Sequence, residues 1–295
     1  MSAATAMPGD LARWVTKTVG PVSEVRNASR ERAGSQVWEI TVRTNVRYFV
    51  KVAPEPAFYT RETFAYRHAV PVLGGGRAAA LVDSSPRRLA MVLTAADGAP
   101  LDRRSLSHGV RREAHRQAGT LLRRFHDAMT TTAEFRAQAR DVGGEAAAGA
   151  ERALRQAGDH VTADEARLLR RLASRLPDLA DRLPVGLRHG DFRERNLLWD
   201  GRRLSLIGFE HSAPSPLAAD FVRLGGGLWP EHHDLRGAFF GGYGRRLSEA
   251  EEHALVCFAA ADAAGCLARG ALDRDRPVTG RGRRTVDRLM KGAYA

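Results

Sequence analysis

The most informative part of this sequence is the stretch HGDFRERNLLW at residues 189–199, followed by LSLIGFE at residues 204–210. Each combines a short apolar run, which predicts a buried strand, with a polar loop. Asp191 and Asn196 are five residues apart in the first loop, so both side chains can face one cleft. A carboxylate there can accept a proton, and an amide oxygen can bind Mg²⁺. From spacing alone, two side chains that merely satisfy loop amides are an equally good interpretation.

Upstream of these loops, roughly residues 20–95 have the pattern of a small antiparallel sheet with one inserted helix. Apolar and polar residues alternate in Val37–Val42 and Tyr48–Val52, and Asn45 lies between the two segments, which predicts a β-hairpin. The other elements predicted here are a helix at Tyr59–Val70 and strands at Ala78–Asp83 and Arg88–Thr94.

The remainder of the chain is mainly helical in pattern. Arg111–Met129 has apolar residues at helical spacing, and an Ala-rich, Arg/Glu-rich stretch follows Gly143-Gly144 as far as Pro184. Residues 217–291 are again mostly helical. The sequence therefore predicts an α+β, bilobal architecture. Residues 1–96 form a small N-terminal lobe with an antiparallel β-sheet and one helix, and residues 97–295 form a larger, mainly helical C-terminal lobe.

Composition limits the classes of protein to which the chain can belong. It has 295 residues, of which 43% are hydrophobic and 27% charged, as in ordinary globular proteins and unlike disordered chains. The net charge is +12, but all except three of the 46 basic residues are arginines spread along the chain. We therefore expect no nucleic-acid partner. We see no secretory signal and no uninterrupted apolar run long enough for a membrane span, so we expect a cytoplasmic protein without membrane association.

Taken together, the motifs resemble those of the aminoglycoside phosphotransferase and choline kinase-like family, the small-molecule branch of the protein-kinase-like fold. The family loop H-G-D-x-x-x-x-N corresponds to residues 189–196, and its strand ending I-D-F-E corresponds to residues 207–210. Asp220 matches a structural aspartate ahead of an apolar helix. Lys51, in a predicted strand, matches the lysine that holds nucleotide phosphates, and Glu62 matches its ion-pair partner.

The resemblance implies phosphoryl transfer that uses ATP and Mg²⁺. Asp191 would orient the acceptor hydroxyl and take its proton, and Arg193 would lie near the γ-phosphate unless it is a solvated or structural arginine. Asn196 would hold the metal. Lys51 would clamp the α- and β-phosphates and would itself be positioned by Glu62.

Further nucleotide contacts are expected in two places. The chain has no G-x-G-x-x-G, but Ser29, Gly34 and Ser35 lie in the loop between the first strands. Their backbone amides could cover the phosphates, and an ordinary hairpin loop is an equally good interpretation. The resemblance also places Leu93 and Ala95 at the end of the strand that leads to the hinge where adenine docks.

The sequence departs from the family pattern at Gly208, where the family has its metal-binding aspartate. Three interpretations are open. Glu210 could reach the metal from two residues along, if the strand continues and its side chain points the same way. The protein could be a pseudokinase that keeps the shape without catalysis. Alternatively, mutation has altered the position and the parent protein has aspartate there.

The expected function is transfer of the γ-phosphate of ATP to a hydroxyl of a small molecule or antibiotic. One alternative is a catalytically impaired pseudokinase that acts as a binding partner for another protein. The other is a kinase that phosphorylates Ser or Thr of a peptide during natural-product maturation. The net charge opposes a polycationic aminoglycoside and favours a neutral or acidic hydroxyl compound, or a peptide. The Arg-rich C-terminal segment could dock such a partner, or could be the solvated face of a last helix.

Overall fold

The computed structural model describes residues 6–29, 34–273 and 275–294. Its first elements in chain order are α1 Gly9–Val19, β1 Val22–Asn27, β2 Gln36–Val42, β3 Arg47–Val52, α2 Pro56–His68, β4 Leu81–Ser85, β5 Ala90–Thr94, β6 Ala99–Pro100, α3 His108–His126 and α4 Ala133–Ala157. The others are α5 Ala163–Ala173, α6 Leu176–Leu179, β7 Val185–Arg188, β8 Leu197–Trp199, β9 Leu204–Leu206, β10 Ala213–Pro216, α7 Val222–Gly225, α8 His233–Tyr243, α9 Glu249–Asp273 and α10 Arg276–Met290.

These elements form two compact units, and their division differs from the predicted boundary at residues 96 and 97. The first unit contains the described residues up to Arg104 together with Arg195–Ser212, and the second contains the rest. The reason is strand pairing. The strand β8 pairs with β6 and with β9, so Ala99 lies opposite Trp199, and Leu197 lies opposite Leu206. This three-stranded sheet attaches the end of the HGDFRERN loop, including Asn196, to the first unit.

A five-stranded antiparallel sheet in the order β1-β2-β3-β5-β4 forms the main part of the first unit. The predicted hairpin is β2-β3, with Asn45 in the left-handed conformation that asparagine tolerates at a turn (φ 63°). Trp38, Ile40 and Val50 are buried against Leu11 and Val15 of α1. The alternation of strand side chains therefore gives one face a core and the other a partly exposed surface.

Helices dominate the second unit, with β7 and β10 as its antiparallel strand pair. Its core surrounds α9, whose Ala260, Ala263, Ala264 and Leu267 are fully buried among residues of α4, α5 and α10. Small side chains on α9 let these helices approach closely. By length and hydropathy α9 is also the one helix within the described residues that could cross a membrane, but 61% of that stretch is buried inside the protein. The predicted α+β class, with a small sheet and a larger helical part, is confirmed.

One glycine in the second unit has a clear packing role. Gly143 and Gly144 lie inside α4, which runs unbroken from Ala133 to Ala157. A Cβ atom on Gly143 would come within 3.0 Å of the main-chain oxygen of Leu176. The glycine therefore allows close contact between α4 and α6, at the usual propensity cost of about 1 kcal/mol relative to alanine.

Candidate functional site

In the first unit, a buried lysine lies between two carboxylates. The Nζ atom of Lys51 on β3 is 2.7 Å from Oε2 of Glu62 on α2 and 3.0 Å from Oε2 of Glu210. The side chains of Lys51 and Glu62 are only 11% and 1% exposed. Burial raises the pKa of Glu62 to about 7 in spite of the opposing charge of Lys51. Burial also favours neutral Lys51, but the two carboxylates raise its pKa, so the lysine is held in its charged form.

Glu210 was predicted as a metal ligand, and the structure places it on Lys51. The prediction required the strand to continue through Gly208 so that alternate side chains point the same way. However, β9 ends at Leu206, so that alternation does not apply. Burial opposes ionisation of Glu210, but the charge of Lys51 lowers its pKa. Glu210 is therefore a charged partner of the lysine, and this three-residue contact was not anticipated from the sequence.

The segment between β9 and Glu210 has a fixed course within the first unit. The amide of Ile207 donates to the carbonyl of Asn196 at 3.1 Å, and the ring of Phe209 packs edge-on against Tyr66. Gly208 has φ +85°. A Cβ atom at this position would meet the side-chain amide of Asn196, with contacts of 3.2–3.4 Å. A side chain at position 208 would therefore be directed at Asn196.

These residues can be tested against the Mg²⁺ that the fold family implies. Mg²⁺ requires close to octahedral oxygen coordination and usually takes one or two carboxylates along with substrate phosphates. Among the described residues, the three atoms nearest to a Cβ at Gly208 all belong to the side-chain amide of Asn196, and none is a carboxylate oxygen. The nearby acid, Glu210, is already paired with Lys51. The donor set that the described residues of this unit present at Gly208 therefore does not fit the metal.

The predicted adenine and phosphate-loop residues also lie in the first unit. Leu93 is buried in β5, and the amide of Ala95 donates to the carbonyl of Arg47, extending the sheet by one bond. The hydroxyl of Ser29 donates to the carbonyl of Val37 and accepts from its amide, which ties the loop to β2. Gly34 has φ +70° and Ser35 is partly buried. The tip of the predicted phosphate loop, residues 30–33, lies outside the described residues.

In the second unit, the first half of the HGDFRERN loop holds Asp191. Oδ1 of its nearly buried carboxylate is 2.8 Å from Nε of Arg193, and its amide donates to Nδ1 of His189 at 3.2 Å. Phe192 is fully buried against the rings of His189 and Phe239. The aromatic anchor therefore fixes the backbone of the loop, and Arg193, predicted at the γ-phosphate, is placed in an ion pair with Asp191.

A buried aspartate supports this loop from below. Oxygen atoms of Asp220 accept hydrogen bonds from the amides of His189 at 2.6 Å and Gly190 at 2.7 Å. Nε2 of His126 lies 2.9 Å from the same carboxylate, and its Nδ1 lies 2.8 Å from the hydroxyl of Tyr243. Burial opposes ionisation of Asp220, but His126 and these amides lower its pKa. The motif pattern indicated Asp220, whereas no local signal indicated Tyr243.

We expect Asp220→Asn to lower the free energy of unfolding by about 3 kcal/mol, because it removes a buried charge and turns an amide donor towards other donors. Thermal unfolding should show a melting temperature roughly 5–10 °C lower at neutral pH. The exposed Asp287→Asn should melt within about 1 °C of wild type.

The effect of Asp220→Asn should also depend on pH. The pKa of Asp220 is lower in the folded state than in the unfolded state, so its stabilisation is present at neutral pH. It is lost as the pH falls through the folded-state pKa, and the difference from wild type should shrink in acid. Equal melting temperatures at neutral pH would contradict this account.

A second contact that supports the loop was not predicted from the sequence, because it uses Glu194, one of the x positions of H-G-D-x-x-x-x-N. Oε1 of Glu194 lies 3.0 Å from Nη2 of Arg111 and 3.2 Å from Nε2 of His115, both on α3. Burial opposes ionisation of Glu194, but these two neighbours lower its pKa. The loop is thus attached to α3 at Glu194 and to Asp220 at residues 189 and 190.

Comparisons with known proteins agree with this arrangement. A sequence model described as a phosphotransferase enzyme family (APH) matches residues 28–255, which is more than three quarters of the chain. A search of curated proteins found no match.

Similar folds occur among solved structures at low sequence identity. A thermostable mutant of aminoglycoside phosphotransferase APH(4)-Ia, in a ternary complex with ADP and hygromycin B, has a TM-score of 0.68 and 14% identity, over 95% of this chain and 97% of that one. The gentamicin complex of APH(2")-IIa has a TM-score of 0.67 and 16% identity, over 96% of each chain. An aminoglycoside phosphotransferase from Alicyclobacillus acidocaldarius has a TM-score of 0.61 and 20% identity, over 99% and 98%. These likenesses concern the fold alone.

Proposed function

The chain belongs to the phosphotransferase enzyme family, and on that premise we propose that it transfers the γ-phosphate of ATP to a hydroxyl group of a small molecule. The observation that carries the proposal is the buried ion pair between Lys51 and Glu62. Burying a lysine and a glutamate costs free energy, and apolar side chains of similar volume often stabilise a fold as well or better. A lysine held charged on the central strand β3 is a suitable partner for nucleotide phosphates.

Asp191 supplies the second part of the proposed reaction. A transferred phosphoryl group needs its acceptor hydroxyl held in line and relieved of its proton. The carboxylate of Asp191 lies on a loop that Phe192 and Asp220 hold in place, so its position is set before the substrate arrives. The guanidinium of Arg193 lies 2.8 Å from this carboxylate and is its positively charged neighbour.

Glu210 has a distinct role in this proposal. Its carboxylate occupies one of the donor directions of the Lys51 ammonium, which the phosphates of ATP would otherwise use. Nucleotide binding must therefore loosen the contact between Lys51 and Glu210, or share the lysine between them. Glu62, which is almost fully buried, stays on the other side of Lys51 and holds it in place.

The proposal is tested by calorimetric titration of the protein with ATP, once in Mg²⁺ and once in EDTA. We expect binding in both buffers, with dissociation constants that agree within about threefold, because the nearest described side chain at position 208 is the amide of Asn196 and not a carboxylate. Lys51→Met should weaken binding at least about tenfold. The proposed function would be overturned if ATP bound neither in Mg²⁺ nor in EDTA.

A second candidate function is supported by Gly208, since the position that bears the family's metal-binding acid has no side chain. In this alternative the protein keeps the fold and works as a non-catalytic binding partner of another protein. This alternative is compatible with ATP binding and with its absence. It predicts that no ADP forms with any hydroxyl compound or Ser/Thr peptide. Measurement of ADP formation over such a panel separates the two candidates.

A further inference from the structure

Three helices of the second unit bring two arginines to one carboxylate. Nη1 of Arg223, on α7, lies 3.1 Å from Oδ2 of Asp262 on α9, and Nη2 of Arg281, on α10, lies 3.5 Å from the same oxygen. Arg281 also contacts the thiol of Cys266, one turn along α9, at 2.6 Å. We call Arg223, Asp262 and Arg281 the arginine cluster.

The arginine cluster has more positive than negative charge. Two guanidinium groups share a single carboxylate, so about one positive charge is uncompensated among the three side chains. Arg288, further along α10, does not add to this excess of positive charge because it pairs with Glu231. The side chains of Arg223 and Arg281 are 21% and 22% exposed, so both can still reach a solute.

The cluster lies within electrostatic reach of the predicted catalytic loop in the same unit. Arg223 follows three residues after Asp220, whose carboxylate accepts hydrogen bonds from the amides of His189 and Gly190 next to Asp191. Burial opposes ionisation of Arg281, but the carboxylate of Asp262 and, more weakly, that of Asp191 raise its pKa. A molecule that presents a hydroxyl to Asp191 therefore has a positive group close to it. Guanidinium groups match carboxylate and phosphate oxygens in pairs and remain charged at all physiological pH values.

We propose that the arginine cluster is the acceptor-recognition site, and that the acceptor is a hydroxyl compound carrying an oxyanion, either a carboxylate or a phosphate. The inference rests on the proposed function and names the substrate class for it. Two oxygen atoms of the anion bind the guanidinium groups of Arg281 and Arg223, which also stay in contact with Asp262. The hydroxyl of the same compound faces Asp191. A polycation such as an aminoglycoside would be repelled by the same groups.

The test measures binding of inorganic phosphate by calorimetry. Phosphate replaces chloride in the buffer so that the ionic strength stays constant. D-Gluconate, D-glucose and D-glucosamine then compare six-carbon hydroxyl compounds that carry a negative charge, no charge and a positive charge. We expect phosphate and gluconate to bind and glucosamine not to bind. Arg281→Gln should raise the phosphate dissociation constant at least about tenfold. Arg284→Gln, an exposed arginine on the same helix, should change it less than twofold.

A second variant moves in the opposite direction, which misfolding could not imitate. Asp262→Asn removes the carboxylate that competes for the two arginines, so phosphate should bind several-fold more tightly. The proposal is overturned if wild type binds no phosphate, if Arg281→Gln binds as wild type does, or if only Lys51→Met loses binding. Failure of the proposed function is a separate result, because phosphate binding at the cluster needs neither ATP nor ADP formation.

Discussion

Asp191→Asn should lower the rate of phosphate transfer by about 10²–10⁴-fold, while the dissociation constant for ATP changes less than about threefold. The asparagine keeps the size of the side chain but cannot take a proton, and a positioned base contributes roughly 10²–10⁴ in rate. The substitution removes the base but leaves the loop in place, because Phe192, Glu194 and Asp220 hold the loop without help from the Asp191 carboxylate.

The measurement is ADP formation from ATP, with water and with D-gluconate as acceptors, beside an ATP titration of each variant. Asp287→Asn provides the matched control, because it makes the same chemical change at an exposed site of the second unit. If Asp191→Asn forms ADP as fast as wild type does, Asp191 is not the base, and the proposed function loses its second part.

Gly208→Asp should make nucleotide binding depend on Mg²⁺. The new Cβ would lie 3.2–3.4 Å from the amide atoms of Asn196, so a carboxylate and an amide oxygen would be neighbours. That pair, completed by phosphate oxygens and water, fits the coordination that Mg²⁺ prefers. We expect ATP to bind about 10–100-fold more tightly in Mg²⁺ than in EDTA, and phosphate transfer to rise by a similar factor or more.

The same substitution should cost stability, because position 208 has φ +85°. An L-residue in the left-handed region costs about 1–2 kcal/mol, with aspartate and asparagine tolerated better than most. The melting temperature should fall by a few degrees. Gly208→Asn has the same strain and size without the charge, and it should gain no Mg²⁺ dependence. An equal gain in Gly208→Asn, or none in Gly208→Asp, would show that a carboxylate at 208 is not what the site lacks.

The local parts of the fold were well predicted because they depend on local patterns. The alternation in β2 and β3 and the turn at Asn45 gave the hairpin, and apolar spacing gave α3. The predicted strand at Ala78–Asp83 begins later, at Leu81, because Ala80 bonds to Thr94 through both its amide and its carbonyl before the regular ladder starts. The boundary at residue 96 was misplaced for a different reason. Residues 195–212 return to pair with β6, and no composition change marks that return.

For the candidate site, the motif predicts residues but not the partners that they contact in the structure. Residue type and spacing indicated Asp191 and Asn196, whereas Lys51 and Asp220 were indicated by the resemblance to the phosphotransferase family. The contact between Lys51 and Glu210 joins positions 159 apart in the chain, and nothing near either residue indicates it. The arginine cluster likewise draws on three separate helices. Short stretches of sequence determine side-chain identity and local conformation. The charged neighbours of each group depend instead on packing between distant segments, which the folded structure reveals.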